Sequence, residues 1–106
     1  MKSSEPVKPS THLNEALLRA IVENHSDAIL IVDLGGIVIY LNPAAEAMFE
    51  RRKNRLLGEY FGYPLVDGRT AEIDIVHTDR TIGVAEMRVG TILWGSQQAW
   101  LVSLRG

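Results

Sequence analysis

The chain contains no cysteine. That excludes disulfides, thiolate metal sites and any cofactor attached through a cysteine sulfur. No apolar run approaches the ~18 residues of a transmembrane helix, and the N-terminus lacks the apolar core of a signal peptide. Neither sign of charge dominates, since 11 Lys and Arg stand against 13 Asp and Glu for a formal net charge of −2. No general attraction to nucleic acid or to an anionic membrane surface is therefore expected. The histidines, His12, His25 and His77, are scattered and form no cluster with metal-ligand spacing. Ser26-Asp27 and His77 are too sparse for a nucleophile, base and orienting group, and no oxyanion glycine pattern accompanies them. The expectation is a non-catalytic cytoplasmic domain that makes no membrane contact, with a small α+β enzyme as a remote alternative.

What is present suffices for one domain of 106 residues with a real core, since 46% of the residues are hydrophobic. The organising stretch is Asp27 to Phe49. Two β-branched apolar runs, Ala28–Val32 and Ile37–Leu41, flank Asp33-Leu34-Gly35-Gly36, and together they predict a tight hairpin. Asn42-Pro43 follows as an N-cap and first helical residue, and Ala44 to Met48 propagate that helix.

Before this unit, residues 1–12 are polar with two prolines and read as a disordered leader, leaving 13–106 as the folded domain. Leu13 to Asn24 is expected to be helical, with Thr11 as cap. Leu13, Leu17 and Ile21 form one apolar row and Leu18 and Val22 a second, a face wider than one sheet contact requires.

After the unit, Arg51, Arg52, Lys53 and Arg55 make a basic run that reads as a solvated connector, and Leu56-Leu57-Gly58 as a short helix closed by glycine. Glu59 to Thr70 carries Tyr60, Phe61 and Tyr63 with little periodicity. These aromatics either plug the core or close over a small pocket.

Three strands complete the chain: Ala71–His77, Ile82–Trp94 beyond a turn at Thr78–Thr81, and Ala99–Leu104 beyond Gly95-Ser96. Ile73, Ile75, Ala85, Met87, Val89, Trp100, Val102 and Leu104 are expected inside. Glu72, Asp74, Glu86 and Arg88 are expected outside, with Arg88 able to pair with Asp74 or Glu72. Ile82, Val84, Ile92, Trp94 and Leu101 make the outer face apolar as well, so a cover is expected, and the Leu17/Ile21 helix, from this subunit or a second copy, is the natural one. Strands and short helices without βαβ spacing argue for an α+β fold with an antiparallel sheet.

Asp33, Gly36, Asn42-Pro43-Ala44 and Leu56-Leu57-Gly58, followed by three strands, resemble the PAS domain, and the resemblance covers roughly Leu13 to Arg105. It implies five strands in the order 2-1-5-4-3, short helices on one face and an N-terminal helix. It also implies a sensory or interaction module of a larger signal-transduction protein, such as a two-component system. Such a module works by homodimerisation, with a downstream effector such as a histidine kinase or a diguanylate cyclase.

The chain departs from the family in the compressed segment after Gly58, where relatives place helices that wall a ligand cavity. No histidine lies there to bind haem, and without cysteine no covalent flavin or chromophore adduct can form; no cofactor is expected. A small-ligand sensor is the alternative reading. Its cavity would be lined by Leu30, Val32, Met48, Phe49, Phe61, Tyr63, Met87, Val89, Trp100 and Val102. The dimer reading uses Leu13, Leu17, Leu18, Ile21, Val22, Val84, Ile92 and Trp94.

Overall fold

The computed structural model describes residues 11–77 and 79–106, with side chains described from residue 16 onward. Residues 1–10 of the expected 1–12 leader, the side chains of Thr11 and Leu13, and Thr78 of the expected turn lie outside the described residues, while residues 11 and 12 fall within the first helix.

The elements are α1 (Thr11–Asn24), β1 (Ala28–Asp33), β2 (Val38–Leu41), α2 (Pro43–Phe49), α3 (Lys53–Leu56), β3 (Thr70–Val76), β4 (Ile82–Trp94) and β5 (Gln97–Arg105). All strand pairs are antiparallel, and the five-stranded sheet runs β2-β1-β5-β4-β3. Between β1 and β2 the loop is closed by a side chain. Asp33 Oδ1 accepts from the Gly35 and Ile37 amides, each at 2.9 Å. Only Gly36 of the two glycines takes a positive φ, +93°, and a Cβ there would meet Tyr60 Cε1 at 2.5 Å. Glycine is thus favoured at Gly36 by its backbone conformation, and a Cβ there would in addition displace the exposed Tyr60 ring.

Each face of the sheet buries its own cluster. The inner one contains Ala28, Leu30, Val32, Val38, Leu41, Ala45, Ile73, Ile75, Ala85, Met87, Val89, Val102 and Leu104, with Met48, Phe49, Phe61, Tyr63 and Trp100 packed against it. The period of two carries through β3, β4 and β5, as expected of a pleated strand. The outer cluster contains Val22, Ile29, Ile31, Trp94 and Ala99, with Leu18, Ile39, Tyr40, Ile92 and Leu101 around it. Helix α1 therefore covers the part of the outer face around Ile29, Ile31 and Trp94, whereas Ile82 and Val84, expected to be covered as well, stay exposed.

The helix does so with a different row from the one expected. Leu18 and Val22 face the sheet, whereas Leu17 and Ile21 remain 60% and 54% exposed. Polar partners beside the Leu18/Val22 row fix this rotation. The Arg19 guanidinium lies 4.4 Å from the Trp94 ring centroid, and the Tyr40 hydroxyl donates to Glu23 one turn further on. Burial, then this hydrogen bond, raise the Tyr40 pKa above its ordinary value.

Three smaller differences have local causes. Arg88 stands opposite Thr70 in the β3–β4 register and pairs with Glu86 at 3.4 Å, not with Asp74 or Glu72. The short helix after α2 ends at Leu56, with Leu57 already extended, and Gly58 takes its positive φ of +84° one residue beyond. The outer edge of β2 is closed by that same segment, since the Val38 amide donates to Glu59 O and the Gly58 amide to Val38 O.

Candidate functional site

Asn42 sits where the N-terminal helix, the first strand and α2 meet, and it is fully buried. Its Oδ1 accepts from the Ala45 amide at 3.0 Å, the cap bond expected from Asn42-Pro43, and also from the Ile29 amide at 2.9 Å. Its Nδ2 faces three carbonyls: Val22 at 2.9 Å, Asp27 at 3.0 Å and His25 at 3.3 Å. One amide thus satisfies a strand donor, a helix donor and the carbonyls at the end of α1. Ser and Asp cap helices about as well as Asn but offer no NH2 group for carbonyls. The sequence reading identified the cap and missed the clamp; the choice of asparagine was the one available signal.

A second tie lies beside it. Asp27, directly before β1, accepts from Arg105 at the end of β5, with Nη2 to Oδ2 at 3.0 Å. The hydrogen bond from Arg105 holds the Asp27 carboxyl below its ordinary value of 3.8, and the charges of Arg105, His25 and Arg88 add to it. A depressed carboxyl pKa contributes stability that is present above the unfolded pKa and is lost as pH falls through the folded one. Arg105→Gln should therefore lower stability at neutral pH, and its deficit against the parent should shrink as pH falls through the carboxylate range. Urea unfolding at stepped pH measures this. A deficit independent of pH would show that Asp27 is not the partner.

The proposed cavity residues do not converge on a single space. Leu30, Val32, Met87, Val89 and Val102 are buried in the inner cluster, and Phe49 is half-buried against it. Phe61, Tyr63 and Trp100 line a cleft of about 260 Å³ with Tyr60, Leu34 and the Gly35-Gly36 turn. The Phe61 and Tyr63 rings lie 5.0 Å apart, and the Tyr63 hydroxyl donates to Asp74 O. The aromatic segment does both things considered for it: Phe61 and Tyr63 pack on the core, and Tyr60, 71% exposed, walls the cleft. Met48 lines a separate apolar groove of about 270 Å³ with Ala47, Ile75 and Ala85.

Of the proposed interface residues, Leu18, Val22, Ile92 and Trp94 pack within the chain's own outer cluster. Leu17, Ile21 and Val84 are exposed. His77, considered for catalysis, packs over Gly83 with its Nδ1 3.4 Å from Glu50 Oε2. Among the described residues no three His, Asp or Glu side chains come together as a metal site, and no helix is long and apolar enough to cross a membrane.

A sheet of order 2-1-5-4-3, helices on its inner face and a clamped helix across its outer face define a PAS-like α+β domain. The sequence model of the PAS domain family matches residues 16–87. The chain belongs to the PAS domain family. Solved structures agree in fold. The PAS domain of a two-component sensor histidine kinase superposes with a TM-score of 0.74 at 16% identity, over 91% of this chain and 98% of that one. The PAS domain of an HTR-like protein from Haloarcula marismortui does so with a TM-score of 0.71 at 17% identity, over 89% and 97%. The PAS domain of nitrogen regulation protein NR(II) from Vibrio parahaemolyticus is 28% identical, with a TM-score of 0.64 over 84% of this chain and 96% of that one. No curated protein matches the chain in sequence.

Proposed function

We propose that this PAS domain is a non-catalytic sensory and interaction module that works in the cytoplasm as a homodimer. It passes a change in the pose of two protomers to a downstream effector. The carrying observation is the Leu17/Ile21 row, exposed on a helix that Asn42 and the Leu18/Val22 row hold to the sheet. A helix already anchored by one apolar row has no intramolecular use for a second, and a partner helix would bury it. Kinship with PAS domains of a sensor histidine kinase and of a nitrogen regulation protein supports a histidine kinase as effector class. A diguanylate cyclase serves the same role in the wider reading. A ligand would act by binding the two poses with different affinity.

The second reading, a small-ligand sensor, rests on the aromatic cleft of Tyr60, Phe61, Tyr63 and Trp100. Neither reading requires a cofactor. Native mass spectrometry with sedimentation analysis tests both. The parent should be a dimer, and Leu17→Glu with Ile21→Glu should give a folded monomer. A parent that stays monomeric at high micromolar concentration overturns the dimer. A reproducible excess mass that disappears on denaturation would favour the ligand sensor.

A further inference from the structure

We infer that the Arg51–Arg55 segment is a docking surface for an acidic segment of a protein partner. Charge is segregated in this chain. Four of its 11 basic residues fall within positions 51–55, leaving seven against 13 acidic residues elsewhere. Arg51, Arg52 and Arg55 are exposed, and among the described residues none of them enters an ion pair. Lys53 is used differently, since it is half-buried with its ammonium 5.1 Å from the Tyr40 ring centroid.

The arginines stand on a held platform. Glu50 ends α2 in the left-handed region at φ 56°, and the Arg51 amide donates to Glu46 O at 3.1 Å. The Lys53 amide donates to the Glu46 carboxylate at 2.7 Å, and the Arg55 amide to Arg52 O at 2.9 Å. Arg51 and Arg55 line one depression of about 600 Å³ with Asn54 and Glu59. Guanidinium groups pair with carboxylates through two parallel hydrogen bonds, and a fixed backbone lowers the ordering cost of doing so.

The same arrangement disfavours a nucleic-acid strand. Phosphates continuing past the patch would run onto a surface with an acidic excess, and no aromatic side chain alternates with these arginines to stack bases. Glu59 at one rim repels a carboxylate placed there. The patch therefore fits acids clustered over about two helical turns better than a uniformly acidic chain.

The probe is a synthetic helical peptide with glutamates clustered over two turns, alongside its glutamine counterpart, titrated into isotopically labelled protein and followed by NMR. Saturable shifts should centre on Arg51, Arg52, Asn54 and Arg55 and weaken as salt rises. Arg51→Gln/Arg52→Gln/Arg55→Gln, three exposed changes that leave the fold intact, should weaken binding by about tenfold or more. No saturable shift, or an equal response to the glutamine peptide, overturns the proposal. Tighter binding of a single-stranded oligonucleotide at the same residues overturns it in favour of a phosphate polyanion. Salt-sensitive self-association that the triple variant abolishes, with no response to the peptide, assigns the patch to a second copy of this chain.

Discussion

Asn42→Ala is expected to remove about 3–5 kcal/mol of folding stability, a large share of the about 5–15 kcal/mol that a small domain holds. The cap alone would account for only about 1 kcal/mol. The remainder comes from burial without partners. The Ile29 amide loses its bond to the side chain in a buried position, at about 1–3 kcal/mol, and the part-buried Asp27 carbonyl loses its own at the low end of that range. The Ala45 amide retains a bond to Asn42 O, and Val22 O retains the His25 amide, so those two groups add little. Urea unfolding measures the loss, and a value near 1 kcal/mol would reduce Asn42 to an ordinary cap.

Asn42→Asp separates the two roles. It keeps the accepting oxygen toward Ala45 and Ile29 but sets a carboxylate against the carbonyls of Val22, His25 and Asp27. Burial and those carbonyl oxygens push such a carboxyl above its ordinary value, so the variant is weakest at neutral pH. It should recover as pH falls and the protonated acid donates one bond. A variant as stable as the parent at pH 7 would show that the donor side of the amide is dispensable.

The clamp also shows why some of the fold was legible in the sequence and some was not. Strand faces followed from the period of two, because each buried position from Ile73 to Leu104 follows the local pleat. The hairpin and the start of α2 followed from Asp33, Gly36 and Asn42-Pro43, whose preferences are set by their own backbones. The rotation of α1 did not follow. Leu17/Ile21 and Leu18/Val22 are equivalent as apolar rows, and the choice between them lies with Arg19 on Trp94, Glu23 on Tyr40 and Asn42 on Val22. Two of those partners stand 17 and 20 residues away from their helix residue. Local periodicity carries no trace of such contacts. The aromatic cleft was half-legible for the same reason: Tyr60, Phe61 and Tyr63 announce a packing role, but Trp100 reaches them from the last strand.

Leu30→Ala should be the other severe substitution, and its cost measures how full the interior is. Leu30 is 1% exposed on the central part of the sheet, opposite Leu41 on one side and Val102 on the other. Both of those neighbours are completely buried, so little can move into the space that truncation leaves. A Leu→Ala change in a close-packed core costs about 2–5 kcal/mol, rising with the volume of the residual cavity. Here the upper half of that range is expected, with unfolding cooperative and the denaturant dependence unchanged. Phe49→Ala should cost less despite its larger side chain, because Phe49 is only half-buried and water already reaches part of the ring. The order of the two costs separates the readings of the interior. If Leu30→Ala exceeds Phe49→Ala, the inner cluster is a packed core, and any small molecule must use a surface depression such as the Tyr60–Trp100 cleft or the Met48 groove. If Leu30→Ala costs under about 1 kcal/mol, the side chain borders space that was already empty, and a ligand cavity between sheet and helices becomes the better account.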